Sequence, residues 1–214
     1  MRLLLLILTM IPVLCCAQVK HDLDRQHLKG HIRTVTELEY DAKTNSLTTK
    51  NVTHYNDTGN QLDYFTYGPD NSLLAKSVYN YNDSGRLINV MRYKGDGTFN
   101  VKTIYKYGAR GDAEEEDNYD ASNVLFMKVV GTFNYNGTER VADRFNEFGI
   151  LFLKSNYKYD QQGNMTEDKQ YDSHHGLKFK TTYEYDGFDA NGNWLKRATY
   201  KNDEPFSTTE RTIE

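Results

Sequence analysis

The feature that most constrains this chain is a recurrence every 26 residues. Aromatics stand at Tyr55, Tyr81, Tyr107, Phe133, Tyr159 and Tyr185, and turn glycines follow at Gly59, Gly85, Gly111, Gly137 and Gly163. A second series, Tyr67, Tyr93, Tyr119, Phe145 and Tyr171, fills the middle of each interval, answered six residues on by Leu73, Phe99, Leu125, Leu151 and Leu177. Between each aromatic and its partner lie Asn, Asp, Ser and Gly, residues that accept the positive φ of tight turns. A chain punctuated this often can form only short segments, and the fixed period means one structural unit repeated many times.

The segments between turns, such as Leu73 to Tyr81 and Leu87 to Tyr93, are of strand length and rich in β-branched and aromatic residues. No stretch of ten or more residues holds a 3.6 period, which argues against helix. Turns beginning at residues 40, 55, 67, 81, 93, 107, 119, 133, 145, 159, 171, 185 and 200 predict 14 strands. The expected fold is all-β, a single long antiparallel meander of about 14 strands built from 26-residue hairpin repeats. Laid flat at ~4.8 Å per strand, such a sheet would be about 67 Å wide. Open twisted sheets rarely exceed ~10 strands, so the sheet is expected to curl into a spiral, trough or incomplete barrel. Two edges would remain, each a place where a protein partner could pair.

Parity sharpens the expectation. The step across each turn is six and the strand steps are even, so the aromatics from 67 to 185 all carry odd numbers. Since side chains alternate along a strand and opposed residues share a face, all of them should line one concave side. Lys50, Lys76, Lys102, Lys128, Lys154 and Lys180 recur at the same period on even numbers and should form a row on the outer face. The same pairing rule sets Lys128 opposite Glu116 and Lys180 opposite Asp168. Two positions break the frame. Gly131 replaces the first aromatic of the Tyr-x-Tyr pairs at Tyr79, Tyr105, Tyr157 and Tyr183, and the turn after Tyr185 gains three residues before Trp194. A gap or bulge is expected at the first, and a closing element near the second.

Composition bounds the rest. The net charge is −4, with 26 basic and 30 acidic residues, which gives no reason to expect nucleic acid or an anionic membrane surface as partner. Hydrophobic residues are 38% of the chain, and 17 Tyr and 10 Phe supply most of the apolar bulk. Tyrosine has an apolar ring and a polar tip, so a face built from it can stay wet. Residues 1–17 read as a secretory signal, with Arg2, an apolar run from Leu3 to Leu14, and Cys15-Cys16-Ala17 ahead of a cut before Gln18. The run is too short to span a bilayer as a helix, and no later segment could. The expected location is periplasmic or extracellular; the alternative is a lipoprotein acylated at Cys16. Residues 18–30 are a polar lead-in, either one helical turn or extended, and residues 31–214 form the repeat domain.

The units Tyr79-Asn80-Tyr81-Asn82-Asp83-Ser84-Gly85-Arg86-Leu87 and Tyr157-Lys158-Tyr159-Asp160-Gln161-Gln162-Gly163-Asn164 resemble the YD repeat of the RHS family. The resemblance covers roughly residues 31 to 214 and points to a small secreted bacterial relative of the kind found in gut-dwelling Bacteroidetes. It implies a long β-sheet that spirals into a hollow shell, which in large toxins encloses a toxic domain, and it implies a link to carbohydrate binding. The repeats here are too few to enclose a protein, so the sheet architecture is what carries over.

The candidate site lies on the aromatic side. Glu115 and Glu167 share one repeat position, and the pairing rule sets Glu115 opposite Tyr105 and Glu167 opposite Tyr157. Tyrosine rings that stack and carboxylates that accept hydrogen bonds suit sugar hydroxyls. Tyr105, Tyr157, Tyr183, Trp194, Glu115 and Glu167 are therefore the candidate residues for a non-enzymatic module that binds a glycan or cell-envelope polymer. The alternative is a wet face with no small ligand, in a structural or protein-interaction protein. Glu115 and Glu167 would lie roughly 19 Å apart on a flat sheet, beyond the ~5–9.5 Å that glycoside hydrolysis needs. Asp189-Ala190-Asn191-Gly192-Asn193 resembles part of a calcium loop but equally a hairpin turn. His174 and His175 are adjacent, so they should face opposite ways. No cofactor is expected.

Overall fold

The computed structural model describes residues 21–108, 113–133 and 139–214; the leader at 1–17 with Cys16, and the turn glycines Gly111 and Gly137, lie outside these. A short helix, α1 (Asp22–Arg25), precedes fourteen strands: β1 (Thr34–Asp41), β2 (Leu47–Tyr55), β3 (Gln61–Tyr67), β4 (Leu73–Tyr81), β5 (Leu87–Lys94), β6 (Phe99–Tyr107), β7 (Ala113–Tyr119), β8 (Leu125–Phe133), β9 (Glu139–Asn146), β10 (Leu151–Tyr159), β11 (Met165–Asp172), β12 (Leu177–Phe188), β13 (Trp194–Lys201) and β14 (Glu204–Ile213). The lead-in is thus helical for one turn. Each strand pairs antiparallel with its neighbours in sequence, as the meander requires.

The sheet does not stay open. β1 pairs with β14 from Val35↔Ile213 to Asp41↔Ser207, closing all fourteen strands into one barrel. The expected spiral, trough or incomplete barrel is therefore corrected to full closure, and the two free edges offered to a protein partner do not exist. The cause is a register slip repeated at nearly every hairpin. At Tyr81, the residue opposite is Leu87, six positions on; one step further, Asn80 faces Asn89, and Ile88 is left over. Among the described residues eleven of the ladders carry such a one-residue shift. Each bulge adds local twist and bends its strand, and summed round the sheet the bends bring the first strand to the last.

The same bulges overturn the parity argument. An extra residue after each turn pairs odd numbers on one strand with even numbers on the next. Tyr105 faces Glu116 and Lys106 faces Glu115; Tyr157 faces Asp168 and Lys158 faces Glu167. The two aromatic series therefore part. Tyr81, Tyr107 and Tyr185 are on the inner wall, each hydroxyl donating to a backbone carbonyl, of Gln61, Leu87 and Met165 respectively. Tyr67, Tyr93, Tyr119, Phe145 and Tyr171 are on the outer wall, directly opposite Lys50, Lys76, Lys102, Lys128 and Lys154. Lys128 also meets Asp117 rather than Glu116, and Lys180 meets Lys169 rather than Asp168. The lysines keep their place outside, where Lys50 lies over Tyr67 and Lys76 over Phe65 at 5.5 and 5.2 Å from the ring centres.

One end of the barrel is covered. The segment from His21 to Ile32 crosses the end formed by the turns after β2, β4, β10 and β12. Leu28, Ile32, Val35 and Tyr55 make a small buried cluster with Leu23 and Ile213 packed on it. Asp22, 7% exposed, accepts from the backbone N–H of Gln61 at 2.9 Å and shares the Tyr81 hydroxyl proton with the Gln61 carbonyl. Tyr55 donates to Gln26 at 2.6 Å. The backbone of Gly163, at φ +89°, comes so close to the His27 ring that a β-carbon there would overlap it. A cleft of about 320 Å³ remains between this segment and the β2–β3 turn, reaching His21, Asp24, Asn56 and Thr58. At the opposite end the described residues form hairpin turns alone.

Candidate functional site

With strands assigned to faces, the inner wall resolves into tiers that follow the 26-residue period. Nearest the uncovered end, the short strands contribute Arg92, Asn118, Arg144 and Gln170, each 26 residues after the last. Beside them stand small hydroxyls at the same period, Ser77, Thr103, Ser155, Thr181 and Ser207, with Val129 at the one intervening position, all buried. Below lie Val90, Glu116, Ala142 and Asp168, and then Tyr79, Tyr105, Tyr157 and Tyr183. Arg92 Nη1 donates to Thr103 Oγ1 at 2.5 Å, and Thr103 in turn donates to Asn118 Oδ1 at 2.7 Å. Two repeats on, Arg144 Nη1 donates to Ser155 Oγ at 2.6 Å and Nη2 to the Tyr157 hydroxyl at 3.0 Å. The arginines and tyrosines of these tiers are only half-buried, so water reaches the wall from inside.

Charge on this wall is partly paired. Arg211 holds Glu37 through Nη2 and Nε at 2.6 and 3.0 Å, and Arg140 approaches Glu116 at 3.5 Å. Arg140 also lies over Gly131, filling the space where the repeat would put a tyrosine, so the expected gap is occupied by a guanidinium. Asp168 accepts from Gln170 at 3.0 Å and Glu39 from Thr49 at 3.3 Å. Burial holds the inner tyrosines neutral: it pushes Tyr79 up to about 12 despite the nearby Arg92, and it raises Tyr105 and Tyr183 as well. On the β13 and β14 side, Thr199 Oγ1 and Ser207 Oγ are buried without a protein hydrogen-bond partner. Buried polar atoms in that state call for a ligand or water.

The residues picked from sequence do not all gather here. Tyr105, Tyr157 and Tyr183 line the lumen. Trp194 is inside too but only 6% exposed, packed on Tyr185 at 5.4 Å with the Arg211 guanidinium 3.3 Å above its ring, at the covered end. Glu115 and Glu167 are on the outer wall. Glu115 bonds Lys106 and Lys128, the latter at 3.0 Å, and Asp117 joins the same pair at 2.7 and 3.7 Å. Hydrogen bonds from Lys106 and Lys128 hold the Glu115 carboxyl below its ordinary range. Glu167 repeats the arrangement with Lys158 and Lys169 at 3.4 and 3.0 Å; burial works against ionisation there, and the two lysines outweigh it. These carboxylates are spent on lysines.

Sequence reasoning passed over Arg92 and Arg144. Their signal was present in the Arg-Asn-Arg-Gln series at 92, 118, 144 and 170, but parity had sent even numbers outside. The two metal-like motifs turn out to be ordinary members of the turn series. Asp189 Oδ1 accepts from the backbone N–H of Asn191 and Asn193 at 2.8 and 2.9 Å, as Asn82 Oδ1 does from Ser84 and Arg86 at 3.1 and 2.9 Å. His175 has φ +65° and sits where Asn71, Gly97, Asn123 and Gly149 take φ of +61° to +82°. Such positions favour Gly, Asn and, among few others, His. No group of three or more His, Cys, Asp or Glu side chains arranged for a metal occurs among the described residues.

No protein-family model matches the chain, and no curated protein matches it. Solved structures do. A porin-like protein from Bacteroides uniformis is 11% identical, covering 86% of this chain and 96% of its own, with a TM-score of 0.55. A porin-like protein from Bacteroides vulgatus is 12% identical, covering 87% and 99%, at 0.49. The Tc holotoxin pore of Photorhabdus luminescens is 12% identical over 76% of this chain and 12% of its own, at 0.24. The first of these likenesses is one of fold.

Proposed function

We propose that this protein is an exported, non-enzymatic barrel that takes a glycan or cell-envelope polymer into its lumen from the uncovered end. The observation that carries the reading is the inner wall itself, where guanidinium, amide and hydroxyl groups at a fixed repeat stand above a tier of Tyr79, Tyr105, Tyr157 and Tyr183. Rings for stacking beside donors for hydroxyls are what a saccharide needs. The resemblance of the turn units to the YD repeats of the RHS family, with its link to carbohydrate, is in keeping with this. So is export behind a cleaved signal, or anchoring through Cys16.

A membrane-spanning reading, which the words porin-like invite, fares worse. The outer wall carries Lys50, Lys76, Lys102, Lys128, Lys154 and Lys180 in mid-strand, with Glu115, Asp117 and Glu167 among them. A lysine on the lipid-facing side of a barrel costs about 2–4 kcal/mol at the bilayer midplane. Among the described residues no helix is long and apolar enough to cross a membrane, which says nothing of crossing by strands.

A protein-interaction role has one observation behind it. Val124, Phe148 and Ile150 on the neighbouring turns after β7 and β9, with Phe126 and Phe152 at the starts of β8 and β10, are all exposed, Phe148 to 78%. Exposed apolar groups in one place mark contact surfaces.

A glycan array probed with wild type and with the Tyr105→Ala and Tyr157→Ala variants, each first shown to melt cooperatively, separates the readings. The lumen reading expects at least one saccharide class bound by wild type and lost from both variants. Binding that survives both changes removes the lumen as the site, and an empty array favours the interaction role.

A further inference from the structure

The charge of the lumen points to the chemical class of its ligand. Arg92 and Arg144 occupy equivalent places two repeats apart, and each guanidinium is steered by a hydroxyl of the next long strand, Thr103 or Ser155, both 0% exposed. A guanidinium has five donors. Arg92 spends one on a hydroxyl and Arg144 two, and neither meets a carboxylate. A hydroxyl can orient a guanidinium but leaves its charge uncompensated, which is costly in a half-buried site. The other members of the tier are the amides Asn118 and Gln170. Of the inner carboxylates, Glu116 is taken by Arg140 and Glu37 by Arg211, while Asp168 and Glu39 accept from Gln170 and Thr49 and contact neither Arg92 nor Arg144.

We propose that the lumen's ligand is an anionic saccharide whose carboxylate or sulfate groups are bound by Arg92 and Arg144; this rests on the reading that the lumen binds a glycan. Both groups match the planar fork of a guanidinium, which leaves the hydroxyls of the sugar to Gln170 and the tyrosines. The turns at the mouth carry Asp70, Asp96, Asp120 and Asp172, whose Oδ1 atoms accept backbone N–H groups of their own turns. Their exposed charge is screened within about 8 Å at physiological ionic strength, whereas the arginines act at contact.

The test titrates the intact protein calorimetrically with trigalacturonate, with its neutral methyl ester of the same hydroxyl pattern, and with a sulfated disaccharide. It is repeated on Arg92→Gln, Arg144→Gln and, as an outer-wall control, Lys76→Gln, each with its melting curve. The expected result is that trigalacturonate, the sulfated sugar or both bind at least tenfold tighter than the ester. Each arginine variant should lose about tenfold for the acid and nothing for the ester, with Lys76→Gln unchanged. Should Arg92→Gln melt early, Arg92→Lys keeps the charge without the fork and should bind at an intermediate strength. If the ester binds as tightly as the acid, or the arginine variants bind normally, the charge proposal falls and glycan binding stands. Loss of binding in Lys76→Gln equal to that in the arginine variants places the anion outside and also overturns it. No binding of any of the three sugars, together with an empty array, overturns the glycan reading itself.

Discussion

Asn193 holds Lys29 by both of its backbone groups, Oδ1 accepting from the Lys29 N–H at 2.8 Å and Nδ2 donating to its C=O at 2.9 Å, across 164 positions of sequence. Asn193 is buried and closes a regular turn, the three extra residues having lengthened β12 to Phe188. That extension carries the turn out to where it catches the N-terminal segment. Replacing Asn193 with Ala leaves two backbone groups of Lys29 without partners, a loss of about 1–3 kcal/mol for buried groups. The variant is expected to melt several degrees lower and to lose amide-exchange protection first in residues 22–30; uniform loss of protection would mean that the segment is not held separately from the barrel.

Gly95 lies where its turn meets the neighbouring hairpin. A β-carbon there would run into the Leu73 carbonyl, a backbone group that cannot swing aside. Gly95→Ala should cost about 1–3 kcal/mol, as overpacking does, whereas Gly97→Ala meets no neighbour and is limited by its φ of +82°. Denaturant titrations of the two variants check the order.

Alkaline pH should unfold the barrel. Tyrosine in an unfolded chain ionises near pH 10; inside, burial raises Tyr79 and Tyr185 to about 12 and moves Tyr55, Tyr81 and Tyr105 in the same direction. Below pH 10 both states keep the proton and the full stability is present. As pH climbs from there through 12, the unfolded chain sheds protons that the fold retains, so stability falls. Tyrosinate absorbance should rise in two stages, exposed residues first and the inner ones together with loss of the far-ultraviolet β signal.

The outer network separates stability from binding. Asp117 is 4% exposed beneath Lys106 and Lys128, whereas Glu115 is more open. Asp117→Ala should lower the melting temperature more than Glu115→Gln does, because it removes the buried member of two ion pairs. Glu115→Gln should leave saccharide affinity within twofold, since the residue is on the far side of the wall from the lumen.

Strand number, the antiparallel meander and the outer lysines could be read from the 26-residue period, because turn chemistry is local. Closure could not. It depends on a leftover residue such as Ile88 or Phe152 at most hairpins, and a bulge leaves no mark in a pattern of aromatics spaced by six. That one residue decides which of Glu115 and Glu116 faces inward, so the strand-level reading was right while the facing of half the strands was reversed. Tyr105, Tyr157 and Tyr183 survived because they lie on the long strands where counting begins. Trp194 was correctly placed inside, but its cover by the N-terminal segment comes from contacts distant in sequence.

One 26-residue unit contributes one outbound and one returning strand, and most hairpins carry their own bend. Gain or loss of a unit would therefore keep both ends of the barrel where they are and alter only its bore, by roughly 10 Å of circumference or 3 Å of diameter. Tandem duplication is then a route by which calibre, and with it the size of guest admitted, can change in one genetic step without redesign of any wall residue.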